Sequence, residues 1–217
     1  DIVTTVLAAQ QALRTDKSKL DTANTKLLNL INENPDPRIG KTLTSITSYD
    51  FAKTEAINAQ TEAQKILNQD NPDPDVVATI ASELNEKLAE LKIARAELVD
   101  KATEEQKTKL EADAGKLTKA STEGKTQDSI TAYNEKYAQL ATELEAAKNK
   151  ATAIKEAGDN ASEHEALKAQ AAVDGVLAKL EAAKAVLVDK ATDDQVSELR
   201  KADVSLTPAS ASTFETA

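Results

Sequence analysis

The residues with chemistry to offer are few, and their spacing argues against a reaction centre. His164 is the only histidine. A zinc or triad site needs several ligands or partners. His164 instead sits inside Ser162-Glu-His-Glu165, a capping box that opens a helix. There is no cysteine, which removes thiolate catalysis, disulfides and cysteine-based zinc sites. Asp and Glu number 37, so paired carboxylates occur throughout. General acid–base work needs them in a partly dry cleft with displaced pKa values, and on narrow helical bundles they are solvated. The loop Asp70, Asn71, Asp73, Asp75 invites a calcium reading. It lacks the twelve-residue spacing, the sixth-position glycine and the closing glutamate of an EF-hand, and Pro72 and Pro74 point to turn and capping roles. Tyr133 and Tyr137, one turn apart on an apolar stripe, read as core packing. Gly158 and Gly175 are isolated, so there is no phosphate-cradling loop, and no serine or threonine has a histidine partner in the pattern. The expectation is no catalytic, cofactor-binding or metal-binding residue, no cofactor, and no enzyme.

Composition fits elements that carry no such site. Of the 217 residues, 40% are hydrophobic and 29% charged, with only 2% aromatic and no Trp. Aromatics usually line wide pockets. Gly and Pro number five each, too few for an all-β chain with many turns. The strong helix formers Ala, Leu, Lys, Glu and Gln dominate. The net charge of −10 opposes binding to nucleic acid and to anionic membranes. No apolar run approaches the ~18 residues of a membrane span. With no Met even at position 1, the chain reads as a piece of a longer protein.

Apolar residues follow the helical period. Ile2, Val6, Ala9, Leu13, Leu20, Ala23, Leu27 and Leu30 predict one helix of about thirty residues, broken in pattern only by Asp16 and ended by Asn34-Pro35. Tyr49, Ala52, Ala56, Ala59, Ala63 and Ile66 predict a second. Asp73 as N-cap with Pro74 at the first helical position opens a third, carrying Val77, Ile80, Leu84, Leu88, Leu91, Ala94 and Leu98.

The pattern then repeats. Leu98-Val-Asp-Lys-Ala-Thr103 recurs as Leu187-Val-Asp-Lys-Ala-Thr192, Lys17-Ser-Lys-Leu20 resembles Lys107-Thr-Lys-Leu110, and Ser45-Ile-Thr-Ser-Tyr49 resembles Ser129-Ile-Thr-Ala-Tyr133. Three matches in one order at nearly one offset indicate an internal repeat. In the second copy a first helix spans 104–121, closed near Gly124. The second carries Ile130, Tyr133, Tyr137, Leu140, Leu144, Ala147, Ala151 and Ile154 up to Gly158, and the third carries Val173, Val176, Leu180, Ala183 and Leu187. No Gly or Pro separates Leu98 from Leu110. The expected fold is therefore all-α: two tandem antiparallel three-helix bundles, 1–102 and 103–192, joined by a shared or nearly continuous helix into an elongated, monomeric rod. Residues 193–217 start a further segment and run into a Ser/Thr/Ala-rich flexible linker.

Residues 49–99, with their Ala-rich helix, Asn71-Pro-Asp-Pro74 and then Val77, Leu84, Leu88 and Leu91, resemble a FIVAR-type repeat of Gram-positive cell-wall-anchored surface proteins. Residues 133–188 are similar, with Gly158-Asp-Asn-Ala-Ser162 in place of the Asn-Pro loop. The resemblance, to the extracellular matrix-binding adhesin type, implies an extracellular location on the bacterial cell surface or cell wall. It implies a non-enzymatic spacer or stalk projecting an adhesive region. The alternatives it leaves open are a binding module for a host matrix or serum protein, and an S-layer-type helical domain that binds cell-wall polymer.

Overall fold

The computed structural model describes residues 2–12 and 14–203, with side chains over 2–7 and 14–201. The Ser/Thr/Ala-rich tail expected as a linker lies outside the described residues. Those described are all-α, without a β-strand. In order they form α1 (Ile2–Ala12), α2 (Ser18–Ile31), α3 (Leu43–Leu67), α4 (Pro74–Ala96), α5 (Glu104–Gly115), α6 (Gln127–Gln139), α7 (Ala141–Ala157), α8 (Glu163–Lys184) and α9 (Asp193–Asp203). The chain divides into two compact units, Asp1–Lys107 with Ile154–Leu167, and Thr108–Ala153 with Lys168–Ala217.

In the first unit α2, α3 and α4 pack pairwise into a three-helix bundle. Its core takes Leu20, Leu27 and Ile31 from α2, Leu84, Leu88 and Leu91 from α4, and Tyr49, Ala56 and Ala63 from α3. The α3 positions are a strict heptad step apart. Two of them are alanines, so α2 and α4 carry most of the bulk while α3 approaches closely. Asp73 caps α4 as expected, its side chain accepting from the Asp75 N–H, with Pro74 opening the helix.

The second unit buries Leu110 of α5, Leu117 beyond it, Tyr133 of α6, Leu144 and Ala147 of α7, and Val173, Val176 and Leu180 of α8. Polar links tie its elements together: Gln170 Nε2 of α8 donates to Asp113 of α5 at 2.9 Å, and Lys179 of α8 pairs with Glu143 of α7 at 2.5 Å.

Four expected helices are corrected. The helix expected over residues 1–33 is two helices, because 14–17 are committed elsewhere. Thr15 donates its N–H to Asn71 Oδ1 and its hydroxyl to the Pro72 carbonyl. Lys17 Nζ reaches the Leu67 and Gln69 carbonyls, and Asp16 accepts from the Ser18 N–H. An apolar period runs across such a break undisturbed, since Asp16 is the only sign of it. The helix expected over 104–121 ends at Gly115. Lys116 and Leu117 donate three residues back, to Asp113 and Ala114, which tightens the last turn and rotates Leu117 into a fully buried position. The continuous helix expected from α4 into α5 is absent: α4 stops at Ala96 and α5 starts at Glu104. Backbone groups between them pair instead with Gly40, Thr42, Ala161 and Glu163. In α6 and α7 the expected single helix is interrupted only at Leu140, whose N–H bonds Tyr137.

Candidate functional site

The side chains with reactive chemistry are scattered. His164 is exposed at the second position of α8. Ser162 Oγ does cap that helix, accepting from the Glu165 N–H at 3.2 Å. In the acidic loop, Asp73 caps α4 and Asn71 holds Thr15; both are used structurally. Among the described residues no three His, Cys, Asp or Glu side chains gather where they could hold a metal. Tyr49 and Tyr133 are fully buried, and Tyr137 lies half-buried beside Tyr133, ring centres 6.0 Å apart. Among the described residues the exposed aromatic is Phe51 of α3, 72% accessible, a position that periodicity did not single out.

What the fold does build, twice, is a clasp. Gly40-Lys-Thr42 lies antiparallel to Val99-Asp-Lys101, and Gly124-Lys-Thr126 lies in the same way against Val188-Asp-Lys190. In the first copy the Thr42 N–H donates to the Val99 carbonyl at 2.9 Å and the Lys101 N–H to the Gly40 carbonyl at 2.8 Å. In the second, the Thr126 N–H donates to Val188 and the Lys190 N–H to Gly124, both at 2.8 Å. Lys41 and Asp100 close the first at 2.6 Å; Lys125 and Asp189 close the second at 2.5 Å. Thr42 and Thr126 donate their hydroxyls to Ser45 and Ser129, and those serines donate back to the threonine carbonyls.

Each clasp therefore joins the residues entering one helix to those leaving another about sixty residues later. The turn into it needs a left-handed residue, and glycine supplies it in both, with φ of +73° at Gly40 and +70° at Gly124. Nothing lies within 4 Å of a Cβ built on Gly124, so Gly124→Ala meets only the backbone penalty. Urea unfolding should show a loss of about 1–2 kcal/mol. The sequence match at Ser45–Tyr49 and Ser129–Tyr133 marked part of this motif. Extending it back to the shared Gly-Lys-Thr would have revealed the rest.

The first clasp carries a second layer. The loop after α7 adds to its free edge: the Ala102 N–H donates to the Ala161 carbonyl and the Glu163 N–H to the Asp100 carbonyl, both at 2.8 Å. Lys101 Nζ lies 3.0 Å from Asp159, which holds that carboxyl below its usual range. Asn160 Oδ1 accepts from both the N–H and the hydroxyl of Thr44 at 2.8 Å. Gln106 Nε2 of α5 donates to Glu163 at 3.0 Å.

Each unit also carries a charge cluster. Arg38 bridges Asp36 and Asp50, and its guanidinium holds the Asp36 carboxyl well below the usual range. Asp113, a nearly buried carboxylate, accepts from Lys109, Lys116 and Gln170, and the two ammonium groups lead the causes that depress its pKa. A carboxyl depressed on folding stabilises the fold above its ordinary value of 3.8. That stabilisation is lost as pH falls through the lower folded value. Asp113→Asn should flatten the acid side of the stability profile, read by thermal melts from pH 7 to pH 2, because the loss sets in as pH falls through the ordinary carboxyl value of 3.8.

The molecule is thus an all-helical repeat protein whose most organised polar constellations are structural clasps. No protein-family model matches its sequence. Similar sequences occur in the extracellular matrix-binding proteins of Staphylococcus aureus. EbhB of strain Newman is 35% identical over 132 residues, 60% of this chain and 2% of that protein. The ebh protein of strain COL is 35% identical over 132 residues, covering 1% of its length. The chain therefore corresponds to a small segment of these relatives. A solved chain from a study of extracellular matrix binding protein (Embp)-mediated Staphylococcus epidermidis adherence to fibronectin is 22% identical. The match covers 78% of this chain and 99% of that one, with a TM-score of 0.33. None of the described helices is long and apolar enough to cross a membrane.

Proposed function

We propose that this chain is a non-enzymatic spacer segment of a bacterial cell-surface protein of the matrix-binding adhesin type, working outside the cell. In this reading residues 1–102 and 103–192 are two like modules, residue 193 opens a further segment, and the task is mechanical. The observation that carries the proposal is the duplicated clasp, which spends the most specific side chains of each copy on closing helices rather than on a ligand. Burial of Tyr49 and Tyr133 adds to it, since aromatic anchors on a binding face stand exposed before the partner arrives. The similarity to small segments of long matrix-binding proteins of Staphylococcus aureus supports the location and the repeat character.

A second reading, a binding module for a matrix or serum protein, draws on Phe51. An aromatic that is 72% accessible is a candidate anchor. Surface plasmon resonance of the chain against immobilised fibronectin, fibrinogen, collagen and purified cell-wall glycan separates the two. The spacer reading expects no saturable binding to any surface. Saturable binding that Phe51→Ala weakens about tenfold or more would replace it with the binding reading.

A further inference from the structure

The second clasp matches the first in its backbone hydrogen bonds and differs at its outer edge. Thr103 and Gln106 form a reciprocal capping box, with N–H to side-chain distances of 2.8 and 3.1 Å. Thr192 and Gln195 repeat it at 2.9 and 3.2 Å. So α9 stands to the second clasp as α5 stands to the first. Beyond that point the environments part. Ala102 is fully buried, whereas Ala191 is exposed. Leu110 is 1% accessible, and Leu199, its counterpart on α9, is 47% accessible. Ala191, Gln195 and Leu199 line a hollow of about 600 Å³ with Asp194 and Glu198. In the first copy Ala102 and Gln106, which match Ala191 and Gln195, receive the loop after α7 and the first residue of α8.

We infer that this outer face is a docking site for the loop and helix start of one further module of the same kind, with α9 as that module's first helix. The occupant is specified by the first joint. It offers a carbonyl to the Ala191 N–H, as Ala161 does to Ala102. It offers an N–H to the Asp189 carbonyl, as Glu163 does to Asp100. It places a carboxylate beside Lys190, as Asp159 lies beside Lys101, and a first-turn glutamate beside Gln195, as Glu163 meets Gln106. An unrelated protein would have to reproduce this ladder and also fill the hollow over Leu199. A like module does both with residues this chain already contains. The inference rests on the modular part of the spacer reading and not on whether any matrix protein is bound.

The test is amide exchange followed by NMR. In the chain itself the Ala102 amide should exchange about 100-fold more slowly than the Ala191 amide, because among the described residues only the first is held in a ladder. In a lengthened chain, residues 114–192 are joined again after Ala202, the position that matches Asp113, so that α9 supplies the first helix. The Ala191 amide should then slow to the rate of Ala102. A parallel chain repeats residues 104–192 directly after Thr192. If the added residues fold, judged by protection of their own clasp amides, while Ala191 stays fast in both chains, the docking face is overturned. If only the parallel chain folds and protects Ala191, the assignment of α9 is overturned. Binding to matrix proteins leaves these rates untouched, so failure of the spacer reading would register separately.

Discussion

Leu84→Ala should lower the stability of the first helical bundle by about 2–5 kcal/mol. Leu84 is fully buried on α4, in the cluster with Leu20, Leu27, Tyr49 and Leu91. The alanines of α3 that face this core, Ala56 and Ala63, have no side-chain length with which to fill the hole, so the cavity term should be retained in full. Urea unfolding followed by hydrogen-exchange mass spectrometry reads the effect segment by segment. Peptides from α2, α3 and α4 should lose protection at lower urea. A change below about 1 kcal/mol, less than the usual loss of a buried leucine side chain, would mean that α2 to α4 do not share this core.

The second large effect is a contrast between two tyrosines at the same place in the repeat. The Tyr133 hydroxyl accepts from the Ala120 N–H at 2.7 Å, fixing the segment that follows α5. Tyr133→Phe leaves that part-buried N–H without its acceptor and should cost about 1–2 kcal/mol. Tyr49 is equally buried, but its hydroxyl has no protein partner among the described residues. Burial also pushes its pKa up, with Glu33 adding to the effect. Tyr49→Phe removes a desolvated polar atom that pairs with nothing, so stability should stay level or rise by up to about 1 kcal/mol. Denaturant melts of the two variants check both signs, and equal losses would contradict the assignment.

Much of the architecture was legible from side-chain period because burial enforces it. Tyr49, Ala56 and Ala63, and Val77, Leu84, Leu88 and Leu91, were marked by spacing and are core residues. Asp73-Pro74 announced the start of α4 through the chemistry of capping. The joints were harder to read. An apolar stripe records which side chains face inward, and it continues in phase across a break such as 14–17. The residues that interrupt α4 and α5 are Val99, Asp100 and Lys101, none a helix breaker. Their N–H and carbonyl groups leave the helical pattern because partners about sixty residues away, at Gly40, Thr42 and Glu163, take them. A tertiary ladder of this kind has no local signature. Its trace in the sequence is repetition: Val-Asp-Lys-Ala-Thr and Gly-Lys-Thr recur because both halves of the clasp recur. On the functional side, the core placement of Tyr133 was readable from its stripe. The exposure of Phe51 was not, because a single aromatic off the stripe carries no periodic signal.

The clasp is the repeated closing element of the chain. Native-state amide exchange of Thr42, Lys101, Thr126 and Lys190 tests it most directly, since each of these N–H groups donates to a carbonyl across a clasp. All four should exchange as slowly as amides in the middle of α4 and α8, opening only with the helices they close. Exchange of either pair at the rate of an open loop, with the helices still protected, would contradict it.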